Sequence, residues 1–296
     1  MTAAPAIEAG GSAAAIRHHY DVGNDFYSAW LDPTMAYSCA MWDGLPDDAP
    51  LEEAQHRKLR YHSESIGAAP GMRVLDVGCG WGAQMRTLID DFGVSSCTGL
   101  TLSEEQAAFV RANNGPEIAV ESTNWHEYSP AMPFDGIVSI GAFEHFAHPE
   151  QSQEERRALY RRFFESCLSW TEGRGRLSLQ TIAYGSIDAG KANPFITTDI
   201  FPAAELPTLE DIVVASQGLY RIVRLRDDAQ DYARTCELWA KRLRQAAARG
   251  EAGGDAELID RYYRYLRLSA AGFSMRRIVL LRLRFDPIPR TTRPPR

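Results

Sequence analysis

The stretch VLDVGCGWG, residues Val74 to Gly82, decides the fold of this chain. An apolar run that ends in an acid is followed at once by three glycines at alternate positions. This pattern predicts a buried parallel strand that stops at a tight turn and passes into a helix. Glycine is needed because the turn requires unusual dihedrals and because a ligand must approach the bare backbone. The alternative is an ordinary strand-to-helix turn without a ligand.

Asp76, inside this stretch, indicates which ligand the turn accepts. A dinucleotide would lay its pyrophosphate against the loop, where the carboxylate would repel it. The acid that binds the ribose of a dinucleotide should lie about 20 residues further on, but the second strand ends Gly99-Leu100-Thr101 without an acid. The loop therefore favours a ligand with a cationic ammonium and no phosphate, such as S-adenosylmethionine.

Charge and composition limit the classes of partner. The chain has 296 residues and a formal net charge of −7, so no overall positive field attracts nucleic acid or anionic lipid. A group of C-terminal arginines allows at most peripheral membrane contact. We interpret this group as scattered surface residues: Arg276, Arg277, Arg282, Arg284, Arg290, Arg293 and Arg296. A small-molecule partner is favoured, and assembly into a homo-oligomer is left open.

The cysteines and the chain ends indicate the compartment. Five cysteines without a CxxC pair predict reduced thiols in a cytoplasmic protein. No metal-ligand spacing occurs, so no metal site is expected. The N-terminus has neither a basic region nor a long apolar run, so we expect no signal peptide and no membrane span. The first dozen residues and Pro287–Arg296 are expected to be disordered or loosely attached.

Strands and helices alternate from Met72 onward, which predicts an α/β fold with a doubly wound, mostly parallel Rossmann-like sheet. We divide the chain into an N-terminal helical cap (1–65), a cofactor-binding core (66–182) and lid segments with closing strands of the same domain (183–296). The predicted strands are 73–77, 96–100, 118–121, 134–140, 176–181, 220–225 and 278–285. The predicted helices are 51–67, 83–92, 104–113, 154–168 and one helical stretch over 232–268. The N-terminal helices and the segments 183–212 and 230–273 are expected to form a lid over the cofactor cleft.

Several motifs surround the glycine turn in a fixed order. They are HYDVGNDF (residues 19–26), YSCA (37–40), LTLSEEQ (100–106), FEHF (143–146), IFP (200–202), and Asp231-Tyr232 followed by Trp239. Together these motifs resemble the cyclopropane fatty acid synthase family, which includes the mycolic acid cyclopropane synthases and C-methyltransferase relatives. The resemblance runs from about residue 17 to residue 275. It implies a Rossmann-like methyltransferase fold and S-adenosylmethionine as the cofactor.

The resemblance also implies a reaction on an isolated carbon–carbon double bond of a fatty acyl chain or another lipid-like olefin. The alkene takes a methyl group and becomes a carbocation, and loss of a proton then gives a cyclopropane, a methylated alkene or an exocyclic methylene. Such a cation needs an apolar pocket with aromatic faces. It also needs one positioned base, and family members hold a bicarbonate for that task.

The family's functional positions map onto this chain by motif. The catalytic group around the bicarbonate becomes the backbone amide of Cys39, together with Glu144, Gln180, Ile182 and Tyr232. Tyr20 and Trp42 are candidates for contact with the substrate. The cofactor-binding candidates are Tyr37, Ser38, Asp76, Gly78, Gly80, Gly82, Thr101, Leu102, Gln106, Trp125, His126 and Ile140.

Two positions depart from the family pattern. A histidine is expected where this chain has Gln180, and glutamine keeps a hydrogen-bond donor but cannot relay a proton near neutral pH. Either bicarbonate persists with altered basicity, or proton removal falls to Glu144 or another group. His126 stands where relatives place an acid near the adenine. These departures suggest a divergent member of the family.

Other interpretations stay open. Each candidate residue has a purely structural alternative: Cys39 as a small buried hydrophobe, Glu144 as a solvated or capping residue, Tyr232 as helix packing. The substrate is equally open to an isoprenoid or polyketide olefin. A different class of function is a non-methylating pericyclase or binding module that keeps the cofactor as a scaffold. Gln180 favours that function, whereas Glu144 and Tyr232 oppose it.

Overall fold

The computed structural model describes residues 23–186 and 205–289. Tyr20, the first four residues of HYDVGNDF, the IFP motif and the first dozen residues lie outside the described residues, as does most of the C-terminal tail. The predictions made for them are therefore not tested.

A seven-stranded sheet forms the centre of the protein, with strand order β3-β2-β1-β4-β5-β7-β6. Strands β1 to β5 are parallel, and β7 enters antiparallel between β5 and β6. This arrangement confirms the predicted α/β class and the mostly parallel sheet. The strands are β1 Arg73–Val77, β2 Ser96–Thr101, β3 Ile118–Ser122, β4 Gly136–Ile140, β5 Arg176–Tyr184, β6 Tyr220–Asp227 and β7 Ile278–Pro287.

Helices cover the sheet. They are α1 Asn24–Ser28, α2 Leu51–Ile66, α3 Ala83–Phe92, α4 Glu104–Asn113, α5 Gln153–Trp170, α6 Leu209–Ser216, α7 Ala229–Ala248 and α8 Ala256–Ser274. The prediction of one helical stretch over 232–268 was wrong, because two helices occupy it. Gly250 and Gly253 adopt positive φ between them, and the side chain of Asp255 caps the second helix by accepting from the amide of Leu258.

The glycine turn has the predicted strand–turn–helix form. Gly78 has φ +86°, and its amide donates to the carbonyl of Leu100 at 2.9 Å, which ties the turn to the end of β2. A Cβ at Gly78 would lie 2.5 Å from the Cβ of Ala142. A side chain there would therefore push apart the loops after β1 and β4, which must meet to form the cleft.

The N-terminal segment is anchored to α7 and α8. The hydroxyls of Tyr27 and Tyr262 lie 2.9 Å apart, and the indole of Trp42 donates to Oγ1 of Thr235 at 3.3 Å. The predicted lid is only partly represented in the described structure. Its N-terminal part lines the cleft described below, whereas residues 230–273 pack behind that segment and line none of the cleft.

Two predictions about the C-terminal region need correction. Arg282 is not a surface residue, because β7 lies inside the sheet and buries its side chain completely. Pro287 ends β7, and the amide of Ile288 donates to the carbonyl of Leu219 at 3.0 Å, so the beginning of the tail is attached. Within the two described ranges, no helix is long and apolar enough to cross a membrane.

Candidate active site

A cleft that opens to solvent lies at the carboxyl ends of the parallel strands. This is where an open α/β sheet binds its ligands. Its walls come from the N-terminal segment, from α2 and from the loops after β1, β2, β3 and β4. Ten of the twelve cofactor-binding candidates line it: Tyr37, Ser38, Asp76, Gly78, Gly80, Thr101, Leu102, Gln106, Trp125 and Ile140.

The other two cofactor candidates lie beside the cleft. Gly82, with φ +83°, is the residue before the first turn of α3 and serves the backbone of the turn. His126 is exposed, and its Nε2 lies 3.7 Å from a carboxylate oxygen of Glu127. Neither residue lines the cavity.

Asp76 presents a buried carboxylate to the cleft. Its side chain accepts no hydrogen bond from the residues that the structure describes, and burial raises its pKa to about 7. Lys58 acts in the opposite direction on the pKa of Asp76 through its charge. A buried acid without a hydrogen-bond donor is costly unless a cation completes it. The cleft therefore fits the ammonium of S-adenosylmethionine.

Lys58 is a cleft residue that the sequence interpretation missed. Its Nζ donates to Oγ of Ser38 at 2.9 Å, and burial lowers the pKa of the ammonium to about 8. The signal was present in the helical periodicity. On α2 the buried stripe includes Leu51, Ala54, Gln55, Lys58, Leu59 and His62, so two titratable residues occupy core-facing positions.

Glu144 lies in a short 3₁₀ helix, Phe143–His145, directly after β4. The Thr181 hydroxyl donates to its Oε2 at 2.9 Å, and the backbone amide of Ile182 donates to the same carboxylate. Burial raises the pKa of Glu144 to about 7 despite these hydrogen bonds. Such a carboxylate can exchange a proton near neutral pH.

Tyr232 lies near both Cys39 and Glu144. Burial raises the pKa of the Cys39 thiol to about 12, so this sulfur is not a nucleophile at neutral pH. Its backbone amide, fully buried, donates to no acceptor among residues 23–186 and 205–289. The ring of Tyr232 stacks on Phe273 with centroids 4.4 Å apart, and the charges of Cys39 and Glu144 contribute to its raised pKa.

A chain of aromatic rings connects the cleft with this buried group. Tyr37 lines the cleft, and its ring centroid lies 5.2 Å from that of Trp239. Trp239 in turn meets the ring of Tyr232 edge-on at 6.2 Å. The faces of such rings stabilise a neighbouring cation without attacking it.

Gln180 is buried in a polar network. Its Oε1 accepts from Nε of Arg282 at 2.8 Å and lies 3.2 Å from Nε2 of His62. Arg282 also pairs with Asp228 and donates to the carbonyls of Cys39 and Ala40 at 3.0 Å each. Neither His62 nor Arg282 was singled out from the sequence, although both contact catalytic candidates.

Trp42, a candidate for substrate contact, does not line the cleft. It is buried between the N-terminal segment and α7, with the guanidinium of Arg234 3.8 Å from its ring centroid. Its backbone amide donates to Asp231 at 3.0 Å. Within the described ranges, no group of three or more His, Cys, Asp or Glu side chains is arranged to hold a metal ion.

Comparisons with known proteins agree with this geometry. The family model described as mycolic acid cyclopropane synthetase matches residues 9–283. Cyclopropane mycolic acid synthase 2 of Mycobacterium bovis is 35% identical over 271 residues, which cover 86% of this chain and 87% of that protein. The solved structure of the cyclopropane synthase MmaA2 from Mycobacterium tuberculosis matches this chain with a TM-score of 0.82 at 32% identity. The match covers 94% of this chain and 99% of the MmaA2 chain.

A second solved structure, the mycolic acid cyclopropane synthase CmaA1 complexed with SAH and CTAB, gives a TM-score of 0.81. It is 32% identical to this chain, with 94% of this chain and 99% of CmaA1 covered. The family match spans more than half of the chain, and the YSCA, LTLSEEQ and FEHF motifs contribute residues to the cleft. The chain therefore belongs to the mycolic acid cyclopropane synthetase family of S-adenosylmethionine-dependent methyltransferases.

Proposed function

We propose that this enzyme methylates an isolated carbon–carbon double bond of a fatty acyl chain or another lipid-like olefin. The reaction passes through a carbocation on the substrate and gives a cyclopropane or a C-methylated product. The observation that carries the proposal is the buried carboxylate of Glu144. It has a pKa of about 7, is held by Thr181 and Ile182, and lies in a group that aromatic rings connect to the cofactor cleft.

The cofactor cleft supplies opposite charges at one end. S-adenosylmethionine, when bound, supplies an electrophilic methyl group on a sulfonium. Asp76 offers its carboxylate to the ammonium of the cofactor, and Lys58, held by Ser38, offers a cation to the carboxylate. A zwitterionic amino-acid group matches this pair of charges.

Two features of the site suit a cationic reaction. Tyr37, Trp239 and Tyr232 present aromatic faces that stabilise positive charge. The thiol of Cys39 and the hydroxyl of Tyr232 both have raised pKa values because they are buried, so neither is a nucleophile that would capture the cation. Glu144 is the carboxylate at which the released proton is taken up.

The residues present also fit a small anion such as bicarbonate. The Cys39 amide is a buried donor without an acceptor in the described part of the chain, and such groups are rare in proteins. Cys39 and Gln180 would hold the anion as donors, next to Tyr232. Bicarbonate, when bound, would supply a second base, and Glu144 remains a proton acceptor without it.

An extended substrate and a cytoplasmic enzyme are the finer parts of the proposal. CmaA1 has been crystallised with SAH and CTAB, and CTAB is a quaternary ammonium that carries a long alkyl chain. This supports an acyl-like substrate more than a compact isoprenoid or polyketide. All five cysteines are free and buried, which supports a reducing compartment.

The test uses S-adenosylmethionine labelled in its methyl group and a panel of acyl, isoprenoid and polyketide olefins. We expect label in one olefin class and stoichiometric S-adenosylhomocysteine. Glu144→Gln should lower kcat about 100-fold or more with unchanged cofactor affinity, because a positioned base contributes about 10²–10⁴ in rate. Glu205→Gln is the matched control, because Glu205 is also buried but pairs with Arg156. The Glu205→Gln enzyme should retain its activity.

A cofactor-bound scaffold without methyl transfer is the second candidate function. Gln180 favours it because glutamine cannot relay a proton. The same experiment separates the two functions. Tight cofactor binding without label transfer and without S-adenosylhomocysteine would support the scaffold and contradict the methyltransferase.

A further inference from the structure

Two buried hydrogen-bond donors remain unused beside Arg282. The backbone amide of Cys39 and the side-chain Nε2 of Gln180 have no acceptor among residues 23–186 and 205–289. Cys39 is fully buried and Gln180 is 1% exposed. Arg282 contacts both residues, through the carbonyl of Cys39 and through Oε1 of Gln180. Two free buried donors joined by one guanidinium indicate a site for an anion.

The orientation of the Gln180 amide follows from its neighbours. A guanidinium can only donate, so the atom that faces Nε of Arg282 must be the oxygen of Gln180. His62 reaches the same oxygen with Nε2, which must then carry its proton. Nδ1 of His62 is left to accept from the hydroxyl of Ser178, which lies 2.8 Å away. The oxygen of Gln180 is thus occupied twice, and its NH₂ group is directed away from both partners.

The surroundings of His62 keep this residue neutral. Burial lowers the pKa of His62 well below its usual value, and the nearby charges of Arg282 and Lys58 act in the same direction. His62 is therefore a neutral donor. Arg282 is charged and paired with Asp228, which is also held by Arg226 at 3.1 Å. A neutral His62 and a glutamine side chain that does not titrate both disfavour proton transfer at position 180.

We infer that Arg282 is a positioning residue: together with His62 it locks the side chain of Gln180 so that position 180 presents a fixed hydrogen-bond donor to a bound anion. Arg282 acts through Gln180 and touches neither cofactor nor substrate. The lock explains how glutamine can stand where the family resemblance implies a histidine. Glutamine donates but does not titrate, so proton uptake is left to Glu144 and to the anion itself. The inference rests on the proposed function in one respect, since the proposed function supplies the anion that the two donors would bind.

The test measures binding of isotope-labelled bicarbonate to the full-length protein saturated with S-adenosylhomocysteine, by NMR line broadening. Arg282→Lys keeps the charge but loses the guanidinium Nε that holds the oxygen of Gln180. Gln180→Leu removes the side-chain NH₂ donor itself. Each change should weaken bicarbonate binding about tenfold or more, the value of one hydrogen bond to a charged group. Arg284→Lys is the matched control, because Arg284 lies two residues further on β7 and pairs with Asp286. Its bicarbonate affinity should equal that of the wild type.

The double variant identifies the route of the effect. If Arg282 acts through Gln180, Arg282→Lys/Gln180→Leu should bind bicarbonate no more weakly than the weaker single variant. Three results would each overturn the inference. They are a double variant whose loss of bicarbonate affinity is the product of the two single losses, an Arg282→Lys variant with the affinity of the wild type, and a wild type that does not bind bicarbonate. Unchanged affinity for S-adenosylhomocysteine verifies that each variant is folded.

A second measurement needs no variant. Nitrogen NMR of the wild type should show His62 neutral and protonated at Nε2 between about pH 5.5 and 8. An imidazolium, or the tautomer protonated at Nδ1, would contradict the lock. Failure of this inference is distinguishable from failure of the proposed function, because label transfer to an olefin can succeed while bicarbonate does not bind.

Discussion

The hydroxyl of Thr181 donates a 2.9 Å hydrogen bond to Oε2 of Glu144. The next residue of β5, Ile182, donates its backbone amide to the same carboxylate. One strand thus delivers two successive donors to an acid that comes from the loop after the neighbouring strand. Burial raises the pKa of Glu144 to about 7, and both donors keep it from rising further. The acidity of Glu144 is therefore set in part by a side chain that can be exchanged.

Thr181→Val keeps the shape of the side chain and removes its donor. The ionised form of Glu144 loses stabilisation, so its pKa should rise by about one unit, the equivalent of a hydrogen bond to a charged group. The acidic limb of the kcat profile should move to higher pH by the same amount, measured with labelled S-adenosylmethionine and the accepted olefin. Thr171→Val is the control, since Thr171 is buried but bonds the carbonyl of Cys167. An unmoved limb in Thr181→Val would exclude Glu144 as the titrating group.

Cofactor binding should depend on pH through Asp76 and Lys58. The pKa of Asp76 is about 7 and that of Lys58 about 8, so both charges are present together near pH 7 to 8. The affinity for S-adenosylhomocysteine should rise as Asp76 ionises and fall as Lys58 loses its proton. Calorimetry between about pH 6 and 9 should give a bell-shaped profile, with a proton released on binding at the acidic side.

Asp76→Asn tests this assignment. The acidic limb should disappear, and binding should weaken about tenfold because one charged partner of the ammonium is lost. Asp260→Asn, an exposed acid on α8, should reproduce the wild-type profile. An acidic limb that persists in Asp76→Asn would assign it to another group.

The fold was predictable because its signals are local. The glycine turn and the apolar strands lie within short windows, and each has the predicted form. The break between α7 and α8 was missed because both helices have amphipathic patterns. In the structure the break is marked by the positive φ values of Gly250 and Gly253 and by the Asp255 cap.

The site was predictable only in part, because burial of a charged residue depends on distant partners. Arg282 bonds residues 243, 102 and 54 positions away, namely Cys39, Gln180 and Asp228. From the sequence it is one arginine in a basic segment. The motifs identified Glu144 and Gln180, but no short window indicates that Arg282 and His62 meet at the oxygen of Gln180.

The aromatic chain should contribute to rate more than to cofactor binding. Trp239→Leu removes the ring between Tyr37 and Tyr232, and we expect kcat to fall about tenfold to thirtyfold, as expected for a desolvated cation–π interaction. The affinity for S-adenosylhomocysteine should change little. Trp170→Leu controls for the loss of a buried indole, because Trp170 packs on Tyr128 away from the site. Equal losses of kcat in the two variants would indicate a general packing defect.

Stability should fall as Glu144 ionises in the folded protein. Its pKa is about 7 when folded and 4.5 for an unperturbed glutamate, so between these values the native state binds more protons than the unfolded state. The stabilising contribution is complete below pH 4.5 and is lost as the pH rises through 7. A permanently neutral side chain avoids this loss. The free energy of unfolding of Glu144→Gln should therefore rise relative to that of the wild type by about 3 kcal/mol between about pH 4.5 and pH 8.

Urea unfolding of both proteins without ligand, at about pH 4.5 and pH 8, measures this difference. Asp76 has a similarly raised pKa, but it is present in both proteins and cancels. Glu165 is exposed and pairs with Arg161. The difference in free energy of unfolding between Glu165→Gln and the wild type should therefore not change with pH. If the difference in free energy of unfolding between Glu144→Gln and the wild type is the same at both pH values, Glu144 ionises with its ordinary pKa. It would then be a poor proton acceptor near neutral pH, and the reaction would need another base.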